Sequence, residues 1–302
     1  MPIEFKFEPH MGIFFPGESH LHHDIYPSIS PLSTSSLTQP QKSILITGAG
    51  RGIGRATALQ YAHASATSLT LCSRTLSELS AVAAEIRAIN PRIRVHTHAL
   101  DVTCAADVQR VAAALHSAEG RLDVLVNNAG ASAPWVPLGE GEPGAWWNTL
   151  EVNLKGPYLA IQAFLPLLTS TAERFGTVVD VVNVGSAAAH QMLEGSSAYS
   201  ISKFALLRLT EFVHEEYGAK GVNCIALQPG GIVSKLSDQE PDLQPYLSDT
   251  ADLPGGFITW VTAGARTWMG GRYFAANWDV DRLLEMKDEI VEGGKLKVRM
   301  VV

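Results

Sequence analysis

Tyr199 and Lys203 stand one helical turn apart in the run Tyr199-Ser200-Ile201-Ser202-Lys203, so a helix presents a phenol and an ammonium on one face. That pairing is useful for proton transfer. A free phenol titrates near pH ~10 and a nearby cation favours its phenolate; a shift of roughly three units corresponds to about 4 kcal/mol. A tyrosine tuned in this way exchanges a proton with a substrate oxygen near neutral pH. Upstream, an apolar run ends at Val184-Gly185-Ser186, which places a hydroxyl at the carboxyl end of a predicted strand, where it can steady the same oxygen. Another run ends in Asn127-Asn128-Ala129-Gly130, and Asn153 falls near the start of the long helical pattern that follows. Both are candidates to frame a cofactor and its proton path. An isolated Tyr/Lys pair is equally the mark of an ordinary helix surface, so its surroundings decide.

The surroundings include a phosphate cradle. The first strand ends in Thr47-Gly48-Ala49-Gly50-Arg51-Gly52-Ile53-Gly54, and Ala56, Leu59, Tyr61 and Ala62 begin a helix. Glycines in such a turn permit positive φ and let backbone N–H groups approach a pyrophosphate at the helix N-terminus, where the dipole favours anions. No Gly-Lys-Ser/Thr follows, which disfavours a nucleotide-hydrolysing loop. After the second strand, Ser73-Arg74 occupies the place where an NAD enzyme usually puts a carboxylate for the ribose 2′-hydroxyl. Arg74, together with Arg51, can instead pair with a 2′-phosphate. The expected cofactor is NADP, with NAD as the alternative.

These residues need a scaffold of alternating strands and helices. Short aliphatic or β-branched runs predict strands near 43–47, 68–72, 93–98, 122–126, 177–184, 222–227 and 271–275, separated by helical patterns. In one of these, 75–89, Leu76, Leu79, Val82, Ala83 and Ile86 share a face. Others run over 152–174 and 199–217. The pattern predicts an α/β fold: a doubly wound, seven-stranded parallel sheet in three layers, forming a single domain over 42–275. An N-terminal extension (1–41), rich in Ser, Thr and Pro from 27 to 41, reads as a connector, and 276–302 as a C-terminal tail. The stretch 231–256, acidic and punctuated by Pro241, Pro245 and Pro254, reads as a mobile lid. With Trp135, His190, Met192, Leu193 and Ile232 it is expected to form the substrate pocket, whose apolar bias fits a medium-sized, partly hydrophobic molecule.

Bulk properties narrow the partners. The 302 residues are 46% hydrophobic and 18% charged, with a formal net charge of −7. That composition supplies a sheet buried on both faces and disfavours nucleic acid or anionic membrane as a partner, leaving a small-molecule substrate. Neither a signal-peptide core nor a membrane span is visible, so a soluble, cytoplasmic protein is expected. Cys72, Cys104 and Cys224 are too scattered for a metal site and read as reduced, buried thiols. His10, His20, His22 and His23 read as part of a solvated extension, with no metal expected.

Taken together, the chain resembles the short-chain dehydrogenase/reductase family over roughly residues 42–275. The matching motifs are TGAGRGIG at 47–54, Asp101-Val102, NNAG at 127–130, Asn153, Ser186, YSISK at 199–203 and Pro229-Gly230, in family order and spacing. The resemblance implies a Rossmann-type fold and a catalytic tetrad of Asn153, Ser186, Tyr199 and Lys203. It implies that Asp101 and Val102 contact adenine, that Asn127 to Gly130 stabilise the central strand and line the cofactor, and that Lys203 holds the nicotinamide ribose. Ile232 is placed beside the cofactor, and Ser234 stands where the family often has a threonine that reaches the carboxamide. The segment past residue 275 resembles that of a fungal branch. The implied activity is NADP-dependent hydride transfer to or from a carbonyl or alcohol carbon, with Lys203 lowering the Tyr199 pKa and Asn153 holding a water. Another net reaction (dehydration, epimerisation, cyclisation) or a non-catalytic NADP-binding regulator remains open. Helices 152–174 and 199–217 resemble those that pair in family dimers and tetramers, so a homodimer or homotetramer is expected.

Overall fold

A computed structural model describes residues 12–300. Its centre is a sheet of β1 (Ser43–Thr47), β2 (Ser68–Ser73), β3 (Arg94–Ala99), β4 (Val124–Asn127), β5 (Val179–Val184), β6 (Val222–Gln228) and β7 (Tyr273–Ala275). The strand order is β3-β2-β1-β4-β5-β6-β7, and every pair is parallel. Parallel strands need crossover helices on both faces, and the all-buried patterns of β1 and β5 are the consequence. Edge strand β3 is partly exposed and carries Arg94, His96 and His98, a composition that discourages pairing with another chain. Strand order reverses between β1 and β4, which opens a crevice at their carboxyl ends. The fold class and the single domain are as the sequence predicts, but the core extends beyond 42–275: Trp278, Val280, Leu283 and Ile290, expected in a tail, are buried in it.

The helices are α1 (Gly52–His63), α2 (Leu76–Ile89), α3 (Ala105–Glu119), α4 (Pro143–Leu150), α5 (Gly156–Phe175), α6 (Ser197–Tyr217), α7 (Asp252–Ala263), α8 (Val280–Glu285) and α9 (Lys287–Glu292). In α2, Leu79, Val82, Ala83 and Ile86 are buried as the periodicity requires, while Leu76 at the first position stays exposed. A five-residue π-turn, Glu151–Lys155, joins α4 to α5. Among the described residues no helix is long and apolar enough to cross a membrane.

Several expectations are corrected. Residues 12–41 are not a solvated connector: Ile29 and Leu37 are fully buried in the core that also holds Phe257, Ile258 and Val261 of α7. Gln39 Nε2 donates to the Thr259 carbonyl at 2.9 Å, fixing the segment to α7. The Ser/Thr/Pro composition suggested a linker, but these residues form short turns between apolar anchors that follow no helical or strand period. The far end of the expected lid, 252–256, is the first turn of α7 with Leu253 to Gly256 buried. Pro254 lies in that turn, where its missing N–H costs nothing.

His22 stacks on Tyr26 with centroids 3.5 Å apart and bonds Asp279 at 2.7 Å, while His23 Nδ1 lies 2.5 Å from Asp249. Both make tertiary contacts; His22 is half-buried, while the His23 ring stays largely exposed, and His10 lies outside the described residues. Among the described residues no group of His, Cys, Asp and Glu is arranged to hold a metal ion. Cys72 and Cys224 are buried, but Cys104 is exposed at the N-terminus of α3.

Replacing Ile29 by Ala leaves a cavity under α7, and the expected loss is about 2–5 kcal/mol in urea unfolding. Stability equal to the parent's would show that the segment does not pack in solution.

Candidate active site

The turn between β1 and α1 is held from the side by the end of β4. Asn128 Nδ2 donates to the Thr47 and Gly48 carbonyls at 2.9 and 3.1 Å. Thr47 Oγ1 accepts the N–H groups of Asn128 and Ala129 at 3.0 and 3.1 Å. This leaves no room for side chains inside the turn. A Cβ on Gly48 (φ +67°) would meet Asn128 Nδ2 at 2.9 Å, and one on Gly54 would come within 2.3 Å of the Gly48 carbonyl oxygen. Gly52 (φ +52°) has nothing within 4 Å of its Cβ position. The turn is therefore tight on the protein side and open on the other, the shape that brings backbone N–H groups to a phosphate.

That open side is one wall of a cleft of about 820 Å³. Its lining includes Gly48, Gly50, Arg51, Gly52, Ile53, Ser73, Arg74, Asp101, Val102, Asn128, Ala129, Gly130, Ser186, Tyr199, Lys203, Pro229, Gly230, Ile232 and Ser234. The structure thus brings the sequence-identified residues together along one crevice, apart from Gly54, which shapes the turn, and Asn153, which is buried behind it. The residues fit a dinucleotide, since the cradle is one that any Cβ at Gly54 would block. Asn127 faces the core and donates to Asn183 at 2.8 Å.

At the far end of the cleft α6 presents Tyr199 and Lys203. Lys203, almost wholly buried, donates from Nζ to the Val184 carbonyl at 2.7 Å and lies 5.6 Å from the Tyr199 ring centroid. Burial pushes its ammonium down to about 8. Tyr199 differs from the sequence expectation. Desolvation pushes its phenol above the ordinary value, and Ser186 partly offsets this. Ser186 also caps the turn after β5, its Oγ accepting the Ala188 N–H at 3.1 Å.

Asn153 sits in the π-turn. Its Oδ1 accepts the Ala131 N–H at 2.8 Å, and its Nδ2 donates to the Ala131 carbonyl at 2.8 Å and to Ser202 Oγ at 3.0 Å. Both polar ends of the side chain make protein contacts, which lock the loop after β4 to α6.

Several expected pocket residues lie elsewhere. Met192 is fully exposed, Leu193 does not line the cleft, and His190 packs edge-on against Tyr273 at 4.9 Å, facing a separate, smaller cavity. Trp135 and Ile232 do line the cleft, as do Lys235, Leu236, Leu243, Tyr246 and Leu247 of the lid. Sequence reasoning missed Glu78, which bonds Arg51 at 3.0 Å, Glu240, which accepts the Trp135 N–H at 2.9 Å, and Asp249, which accepts the Gly231 N–H at 2.6 Å. Only Glu78 had a local signal, an acid in the first turn of α2 beside the cradle.

A model of the short chain dehydrogenase family matches residues 42–244. The chain belongs to that family. The short chain dehydrogenases mpl6 of Monascus purpureus and citE of Monascus ruber are each 41% identical to it over 300 residues, covering 98% of this chain and 99% of theirs. Among solved structures, a short chain dehydrogenase from Shigella flexneri complexed with NADP superposes with a TM-score of 0.72 at 26% identity, covering 80% of this chain and 99% of that one. One from Escherichia coli CFT073 complexed with NADPH gives 0.71 at 27% identity, with coverages of 80% and 99%. The fungal relatives agree with the branch that the C-terminal segment resembles.

Substituting Gly54 by Ala forces a methyl group onto the Gly48 carbonyl, with an expected cost of about 1–3 kcal/mol in stability. Calorimetric titration with NADPH should show weakened binding in parallel. Unchanged affinity would separate the turn from the nucleotide site.

Proposed function

We propose that the chain is an NADP(H)-dependent oxidoreductase that moves a hydride between nicotinamide and a carbonyl or alcohol carbon of a medium-sized organic substrate. The observation that carries this reading is the arrangement of Tyr199, Ser186 and Lys203 at one end of the cleft whose other end is lined by the glycine turn and Arg74. When bound, the nicotinamide supplies or accepts the hydride. Ser186 fixes the substrate oxygen, and Tyr199, in the same cleft, gives that oxygen its proton in reduction and takes it back in oxidation. A phenol held above its ordinary pKa stays protonated at neutral pH, which suits the acid required for reduction. Lys203 supplies positive charge beside the phenol and holds the ribose. Asn153 acts as a positioning residue through Ser202 and Ala131.

Several features bear on cofactor choice. Ser73 offers no carboxylate, and Arg74 has no ion pair among the described residues, which favours a 2′-phosphate. Glu78 works against it by neutralising Arg51. The neighbours solved with NADP and NADPH support the first tendency. NAD is the alternative. The apolar lining by Trp135, Ile232, Leu236, Leu243 and Leu247 supports a partly hydrophobic substrate. Exposed Tyr158 on α5 and Ile201, Phe204 and Phe212 on α6 support a homodimer or homotetramer built on these helices.

Tyr199→Phe should lower turnover of a ketone with NADPH about 10²- to 10⁴-fold while NADPH affinity stays near the parent's. Full activity would remove Tyr199 from the reaction. Arg74→Ala should weaken NADPH about tenfold or more and NADH little; equal effects on both would leave the 2′-phosphate unassigned.

The pH dependence follows from Lys203. Its depressed pKa means the ammonium is present below about 8 and lost above, so kcat/KM for reduction should hold through neutrality and fall above about 8. Lys203→Arg, which stays charged, should move the falling limb upward. A profile flat across that region contradicts the assignment.

A further inference from the structure

The segment 13–23 precedes the matched family region, which begins at residue 42, yet Ile13, Phe14, Leu21 and His23 line the same cleft as Ser186 and Tyr199. It is strapped down along its length. Trp278 Nε1 donates to the Ile13 carbonyl at 3.0 Å, and Leu21 bridges Trp278 in antiparallel fashion. The His22 N–H donates to the Asn277 carbonyl at 2.7 Å, and Asn277 Nδ2 returns a bond to the His22 carbonyl at 2.9 Å.

The last strap residue meets the lid. The Thr250 N–H donates to the His23 carbonyl at 2.9 Å, and His23 Nδ1 lies 2.5 Å from one oxygen of Asp249. The other Asp249 oxygen takes the Gly231 N–H at 2.6 Å, and Gly230 (φ +111°) has no room for a Cβ, which would fall 2.7 Å from it. One buried carboxylate therefore joins strap, lid and the turn after β6. That turn follows β6, which neighbours the β5 that leads to Ser186 and is separated by three strands from β2 and Arg74, so the strap lies on the substrate side.

An apolar side chain that lines a cleft gains stability when an apolar ligand packs against it. Phe14, Trp135, Tyr246 and Tyr273 all line this cleft, and aromatic rings cover flat apolar ligands well. Resting on the oxidoreductase reading above, we propose that residues 13–23 are the specificity-determining wall of the site. Ile13, Phe14 and Leu21 receive the apolar body of a ring-bearing carbonyl substrate. His23 and Asp249 are positioning residues that hold the wall.

The test uses the full chain and its Phe14→Ala and Leu21→Ala variants, with 2-naphthol as a ring-bearing probe titrated into NADP-saturated protein by calorimetry. The same proteins are assayed for kcat/KM on 2-tetralone and 2-butanone with NADPH. Loss of an apolar contact should weaken 2-naphthol about tenfold and lower the 2-tetralone to 2-butanone ratio by a similar factor. NADPH affinity should stay near the parent's. His23→Ala should raise KM for 2-tetralone with kcat retained.

Parent protein that does not bind 2-naphthol, or variants that bind it as the parent does, would overturn the proposal. So would NADPH affinity falling in step with the probe, which would make the strap a cofactor element. If the parent binds NADPH and 2-naphthol with the expected variant effects but reduces neither ketone, the strap stands and the hydride reading fails.

Discussion

The side chain of Asn128 holds the Thr47 and Gly48 carbonyls in place, and Thr47 returns the contact by accepting two N–H groups from the end of β4. Without this reciprocal set, buried backbone groups at the strand-order reversal would be unsatisfied, each at a cost of about 1–3 kcal/mol. The glycine turn keeps its narrow shape because Gly48 and Gly54 admit no Cβ against these partners. From that fixed point the crevice runs past α1 and the β2 end in one direction and past β5 and α6 in the other. The site is an outcome of where the parallel sheet changes direction.

Its charged end is held by similar means. Lys203 is buried with its ammonium against the Val184 carbonyl, at the end of the strand that leads into Ser186. Asn153 ties Ala131 to Ser202, one residue before Lys203, and so joins the loop after β4, the π-turn and α6. A buried ammonium is costly, and its depressed pKa expresses that cost. The arrangement keeps a cation near the phenol.

Much of this was legible in the sequence because period and glycine chemistry are local. Strand runs such as 43–47 and 222–227, the helical face of 75–89 and the motifs at 47–54 and 199–203 each carry their own signal. What was not legible is non-local. The burial of Ile29 and Leu37 depends on α7, some 220 residues away for the Gln39–Thr259 bond, and no pattern in 12–41 announces it. The helix starting at Asp252 was hidden because Leu253 to Gly256 includes a proline and two glycines. Those are poor helix formers alone, yet Gly255 allows α7 to approach the backbone of Ala56 and Thr57. Met192 and His190 were misplaced because loop direction after β5 is set by tertiary packing against Tyr273. The rise of the Tyr199 pKa comes from burial of its phenol, which spacing alone does not specify.

A crystal structure of the full chain grown with NADPH tests most directly the claim that one crevice brings cofactor and proton donor together. The expected result is a dinucleotide lying along the cleft, its adenosine phosphate at Arg74, its pyrophosphate on the Gly50–Ile53 turn and its nicotinamide beside Tyr199, Ser186 and Lys203. A dinucleotide seated anywhere else, or a nicotinamide from which Tyr199 and Ser186 both turn away, would contradict it.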